Sequence, residues 1–204
     1  MNLAEPWLPE PWLLEWSSLE GVAAAFGVVS VYLSTRQNIW SWPTAIVNVA
    51  LYTVVFFQGR LYGQMGLQPI YLVLSVYGWY QWLHGGEQRT ALRVARASPR
   101  LLGGLLILNI LGWLALAAFL RQTDAALPRL DALLTTTSLI AQWMMTRKIL
   151  ENWILWIAVD VVYVPMFFSQ RLYATAMLYS AFLVLAIMGL VEWRRSVVPR
   201  LAGS

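Results

Sequence analysis

The sequence predicts an all-α membrane protein. Seven transmembrane helices form two parallel three-helix repeats around one linker helix (3+1+3), with the N-terminus outside and the C-terminus inside. Three observations predict it. Only 12% of the 204 residues are charged, against about 25% in soluble domains, and 59% are hydrophobic. Seven apolar runs reach membrane-spanning length. One ungapped offset, 171 − 60 = 111 residues, maps the first three runs onto the last three.

The runs are 17–35, 40–57, 67–83, 101–120, 130–146, 153–168 and 173–193. Arg36 closes the first, and Trp40 and Trp42 open the second. Tyr62 precedes the third, which ends on Trp82 before the polar stretch of His84. A basic segment with Arg89, Arg93, Arg96 and Arg100 leads into the fourth, whose few polar groups (Asn109, Trp113) suit a spacer. Arg147 and Lys148 separate the fifth and sixth, and Trp193 with Arg194 and Arg195 ends the seventh. Trp and Tyr at run ends are expected interfacial anchors.

With the N-terminus outside, the inner segments hold Arg36, Arg89, Arg93, Arg96, Arg100, Arg147, Lys148, Arg194, Arg195 and Arg200, ten of fourteen basic residues. Outer segments hold Arg60, Arg121, Arg129 and Arg171, so the positive-inside rule selects this orientation. The expected division is an outer (periplasmic) segment 1–16, a first repeat 17–83, a cytoplasmic basic loop plus linker helix 84–127, a second repeat 128–193 and a cytoplasmic tail 194–204. Residues 1–16 contain no Lys or Arg, which does not fit a signal peptide.

The offset pairs Phe56-Phe-Gln-Gly-Arg-Leu-Tyr62 with Phe167-Phe-Ser-Gln-Arg-Leu-Tyr173. It also pairs Thr35-Arg36 with Thr146-Arg147, Trp42 with Trp153, Tyr52 with Tyr163, Gly78 with Gly189, and Trp82 with Trp193. Chance matches among apolar segments yield Leu and Val, not Trp, Tyr, Arg and Gly in one register. A three-helix unit ends on the side opposite its start, so a fourth helix lets the second copy begin where the first did. Parallel repeats of this kind hold substrate near the membrane midplane.

Polar groups inside the spans must face the bundle interior or a wet cavity. Gln64, Gln68, Tyr71 and Ser75 share one helical face, with Pro69 beside Gln68 as a potential hinge. Asn48 and Tyr52 form an i, i+4 pair in the second span, as do Ser138 and Gln142 in the fifth. Interhelical hydrogen bonding is the bland explanation for the Gln and Ser residues, and back-bonding or packing that for the run Thr135-Thr-Thr137. Pro165 invites a kink in the sixth span through either packing or gating.

The strongest constellation is Trp153, Trp156, Asp160 and Tyr163, at i, i+3, i+7 and i+10 on one face. Interfacial anchoring would explain Trp153, one turn shallower than Trp156. An ionised carboxylate in hydrocarbon costs at least about 2.5 kcal/mol, and no Lys or Arg lies inside any span to pair with Asp160. Indole faces beside a carboxylate suit a flat aromatic cation, and a carboxylate also accepts from ribose hydroxyls. Phosphate would need positive partners that are missing here.

With no Cys and His84 alone in a polar loop, thiolate or imidazole metal sites and an intramembrane catalytic dyad are not expected. No cofactor is expected. The basic residues are spaced between apolar runs, which predicts no nucleic-acid partner.

The motifs Tyr62-Gly-Gln-Met-Gly-Leu-Gln68, Tyr77-Gly-Trp-Tyr-Gln-Trp82, Ala141-Gln-Trp143 and Glu151-Asn-Trp-x-x-Trp-x-x-x-Asp160 resemble the bacterial nicotinamide riboside transporters of the PnuC type, over about residues 21–195. The family pattern after Trp-x-x-Trp carries Asn or Asp, and Asp160 is the Asp form. The resemblance implies a SWEET-like seven-helix fold in the inner membrane. It implies facilitated diffusion of nicotinamide riboside for NAD synthesis, pulled by a cytoplasmic nicotinamide riboside kinase, and a homo-oligomer such as a trimer. Sister groups carry thiamine or riboflavin, and proton coupling through Asp160 is the mechanistic alternative. The expected substrate-binding residues are Asn48, Tyr52, Gln64, Gln68, Gln142, Trp153, Trp156, Asp160 and Tyr163.

Overall fold

The computed structural model describes residues 18–58, 62–122, 127–169 and 173–197. The expected segment 1–16, the tail beyond Val197, Arg60 and Arg171 lie outside the described residues. Among the described residues there are seven α-helices: α1 (Ser18–Thr35), α2 (Ser41–Gln58), α3 (Tyr62–His84), α4 (Pro99–Leu120), α5 (Pro128–Thr146), α6 (Asn152–Ser169) and α7 (Tyr173–Ser196). Helix starts follow local chemistry. Pro99 and Pro128 sit in the first turns of α4 and α5, where a missing N–H costs nothing, and the Ser98 hydroxyl accepts from the Leu101 N–H at 3.2 Å. Helices α3 and α6 run through Pro69 and Pro165.

By length and composition, α4, α6 and α7 are long and apolar enough to cross a membrane. The other helices turn polar side chains into the bundle, including Ser30, Gln68, Ser75 and Ser138. Packing follows a closed ring, α1–α2–α3–α5–α6–α7 and back to α1, with α4 laid against α5. The polar groups of α4 serve that attachment. Thr136 donates to Asn109 Oδ1 at 2.8 Å, Asn109 Nδ2 donates to Thr137 at 3.1 Å, and the Trp113 indole donates to the Arg129 carbonyl at 2.9 Å. Leu106, Ile107, Leu108, Leu111 and Phe119 of α4 remain exposed, as lipid-facing side chains would be.

The core sits where α2 and α6 begin and α3 and α7 end. Trp42 meets Trp82 edge-on at 5.3 Å and 89°, and Trp153 meets Trp193 at 5.4 Å and 88°. Trp82 and Trp193 join the two pairs at 5.9 Å. Trp42 lies over Gly78 and Trp153 over Gly189, so closely that a Cβ at either glycine would run into the ring. Trp82 donates to the Met145 carbonyl at 3.1 Å and Trp193 to the Ser34 carbonyl at 3.0 Å. These partners differ by 153 − 42, 189 − 78, 193 − 82 and 145 − 34, each 111. The offset in the sequence therefore recurs as a duplicated set of contacts.

The basic loop between α3 and α4 folds across this core. Leu92 N–H donates to Trp82 O at 3.1 Å, Ala95 N–H to Lys148 O at 3.0 Å, Leu150 N–H to Ala95 O at 2.9 Å, and Ala97 N–H to the Glu151 carboxylate at 2.9 Å. Val94 is thereby buried among the four tryptophans. Lys148 is covered too, its ammonium 4.4 Å from the Trp82 ring, and burial pushes its pKa down to about 8. The segment is a strap as well as a topology signal.

Candidate substrate site

Helix α6 carries its four marked residues from the core toward mid-bundle. Trp153, 1% exposed, is a member of the tryptophan core, and half-buried Trp156 packs at its edge. Asp160 lies two helical turns beyond Trp153, about 10 Å along the axis. It is 3% exposed and makes no hydrogen bond or ion pair among the described residues.

Aromatic groups gather next to it. Tyr163 stacks on Phe167 at 5.4 Å and 11° and tilts against Tyr179 of α7 at 5.0 Å. Tyr179 also meets Phe182 at 5.8 Å. The phenols of Tyr52 (α2), Tyr71 (α3) and Tyr163, together with the Asp160 carboxyl, lie within electrostatic range of Tyr179. Phenols of three other helices and the Asp160 carboxyl thus gather about Tyr179, a setting of O–H donors and ring faces suited to a hydroxylated aromatic cation.

The other expected residues are placed differently. Asn48 spends one amide hydrogen on the Ala23 carbonyl at 2.7 Å, and Gly27 leaves room for it, so this residue ties α2 to α1. Tyr52 stacks on Phe56 at 5.4 Å. Gln68 is buried on α3, and Gln142 is half-buried on α5 without a hydrogen bond among the described residues. The side chain of Gln64 lies outside the described residues. Tyr179 and Tyr71 were not among the expected site residues. A signal for them existed: Tyr179 occupies the repeat position of Gln68, and Phe182 that of Tyr71 (179 − 68 = 182 − 71 = 111).

A family model described as nicotinamide mononucleotide transporter matches residues 17–195. The chain is 27% identical to the nicotinamide riboside transporter PnuC of Escherichia coli (strain K12), over 92% of this chain and 88% of that protein. It is also 27% identical to the riboflavin/roseoflavin transporter RibM of Streptomyces davaonensis, over 93% of this chain and 91% of that protein. The crystal structure of the vitamin B3 transporter PnuC shares the fold, with a TM-score of 0.70 at 23% identity, covering 87% of this chain and 80% of that one.

Proposed function

The chain belongs to the nicotinamide mononucleotide transporter family, PnuC-type multi-pass membrane transporters, and we propose that it carries the dephosphorylated nucleoside, nicotinamide riboside, into the bacterial cell. The observation that carries this reading is Asp160, buried without a hydrogen bond or ion pair among the described residues, beside Tyr163 and Tyr179. A pyridinium ribose supplies the missing positive charge and the hydroxyl donors. The mononucleotide would bring a phosphate into a bundle whose helices carry Arg or Lys only in their end turns, at Arg100, Arg129, Arg194 and Arg195.

Transport is facilitated diffusion across the inner membrane, drawn forward by a cytoplasmic kinase that phosphorylates the riboside. The N-terminus is outside and the tryptophan core faces the cytoplasm, in keeping with the basic residues at that end. The duplicated contacts support parallel SWEET-like repeats 17–83 and 128–193, with 84–127 as loop and linker helix, 1–16 periplasmic and 194–204 cytoplasmic. The apolar outer face of α4 is open to lipid or to other copies in a homo-oligomer, a trimer by family resemblance.

Riboflavin is the second reading, because the Streptomyces relative is as similar as the Escherichia one. A neutral flavin would leave Asp160 without a counter-charge, which counts against it. Thiamine, also an aromatic cation, is separated from the riboside only by experiment. Proteoliposomes loaded with nicotinamide riboside kinase and ATP are offered nicotinamide riboside, thiamine, riboflavin and nicotinamide mononucleotide. Accumulation of the riboside alone, unchanged when a proton gradient is collapsed, is the expected result. Uptake of only thiamine or riboflavin would overturn the substrate, and dependence on the gradient would instead place a proton on Asp160 during transport.

A further inference from the structure

The turn between α5 and α6 and the turn between α1 and α2 are built alike, yet only one of them is covered. Lys148 and Gln37 both adopt left-handed backbone angles, φ 47° and 54°, and 148 − 37 is again 111. The Lys148 amide donates to Met145 O at 3.1 Å and the Gln37 amide to Ser34 O at 3.0 Å. The next amides, Ile149 and Asn38, donate to Met144 O at 3.0 Å and Leu33 O at 2.9 Å. Lys148, Ile149 and Leu150 are buried where the strap pairs with them, and Glu151 is half-buried. Gln37 and Ile39 are only half-buried, Asn38 is exposed, and Trp40, in the place of Glu151, is 65% exposed. Among the described residues no extended segment pairs with the α1–α2 turn. The turn therefore forms without a strap, and its folding does not account for one.

The strap's attachments join the end of α3 to the α5–α6 turn. Leu92 is held on Trp82, Ala95 on Lys148 and Leu150, and Ala97 on the Glu151 carboxylate. Between them Val94, 3% exposed, is wedged into the tryptophan cluster. Arg93 and Arg96 on either side are exposed, so lifting the strap uncovers little apolar surface of its own beyond Leu92 and Val94. An extended segment held by so few bonds can open as a local unit while the helices stay folded. Its root carries strain. Gln88 and Arg89 stand in succession at φ 53° and 62°, a region costly for residues that bear a Cβ, just after Gly85-Gly86. Docking maintains that strain, and undocking lets both residues relax.

We propose that residues 90–98 are a latch on the tryptophan core, hinged at Gln88 and Arg89 and lifted each time that end of the bundle opens to release substrate. The rings cannot separate while Val94 sits among them and Ala95 and Ala97 bind α3's end to the α5–α6 turn, so undocking precedes opening. The inference rests on the chain being a transporter, not on which compound it carries.

The test ties the strap down. Its backbone bonds run from Ala95 to Lys148 and Leu150, so Ala95 and Ile149 stand opposite each other in a parallel pairing. Paired strands lie about 4.8 Å apart, within reach of a disulfide. Ala95→Cys with Ile149→Cys supplies the only thiols in a chain without cysteine. In proteoliposomes the oxidised pair, its bridge verified by mass, should cut riboside uptake at least about tenfold, with recovery on reduction and unchanged equilibrium binding. Full uptake with the bridge in place overturns the latch. Where the reduced double variant is itself inactive, hydrogen exchange in the wild-type protein decides. The amides of Ala95, Ala97 and Leu150 should exchange faster while the vesicles transport than without substrate, and those of α6 should not change. Equal exchange of the strap amides in both conditions also overturns it. If the wild-type protein accumulates thiamine or riboflavin in place of the riboside, that compound becomes the probe, so a wrong substrate and a static strap give separate results.

Discussion

Asp160 and Lys148 are both buried and solve the problem of burial differently. Lys148 rests on the face of Trp82, whereas Asp160 has no partner among the described residues. Asp160→Asn keeps size and hydrogen bonding and removes only charge. Binding of nicotinamide riboside to the purified variant, followed by tryptophan fluorescence, should weaken at least about tenfold, equivalent to 1.4 kcal/mol. Unaltered affinity would remove the carboxylate from the site. Lys148 gives a pH signature. Its pKa is about 8 in the fold against 10.5 for a free lysine, so between those values the unfolded chain binds more protons. Stability should therefore rise from pH 8 toward 10.5, and Lys148→Met should flatten that rise in a thermal unfolding series. In the sequence Lys148 counted only as a topology charge. Its burial comes from the strap, whose alternation Leu92-Arg-Val94-Ala-Arg96 is the period-two pattern of an extended segment.

Helix existence was legible because apolar runs write themselves into spacing, and the Trp and Gly paired at one offset reappear as matched contacts. The ring order of helices was not, since nothing in composition says that α3 packs on α5 or α1 on α7. Trp153 illustrates the cost. Its helical face pointed toward Asp160, but its ring is held by Gly189 and Trp193 in the core. Tyr179 escaped because its repeat partner is Gln68, so identity matching passed over it, while Tyr71 stood on the polar face of Gln68 without being counted as a site residue. The duplicated Trp–Gly contact makes a paired prediction. Gly78→Ala and Gly189→Ala each force an indole away from a tightly packed neighbour, costing about 1–3 kcal/mol. Thermal unfolding in detergent should show similar losses for both. A large loss in one and none in the other would mean the two halves do not share a packing scheme.

At the scale of the whole molecule, a ring of helices closed at one end by the tryptophan core implies that passage requires that end to open. The seam there between α1–α3 and α5–α7 is narrow. Gln37 beside α1 donates to Ser196 of α7 at 2.7 Å, next to the Arg36–Glu192 ion pair at 3.5 Å. Exposed charges at that ion pair contribute at most about 1 kcal/mol, so they do not hold the seam shut. The tryptophan core behind them does, through four packed rings and two indole hydrogen bonds across the seam, Trp193 to the Ser34 carbonyl and Trp82 to the Met145 carbonyl. A covalent tie across the seam should then arrest transport without touching the mid-bundle site. The chain has no native Cys, so Gln37→Cys with Ser196→Cys supplies the only thiols for a short bifunctional methanethiosulfonate. Cross-linked protein in proteoliposomes should lose most riboside uptake and recover it on reduction, while equilibrium binding stays near that of the uncross-linked variant. Undiminished uptake, with the cross-link verified by mass, would mean that substrate leaves by a path that does not separate α1 from α7.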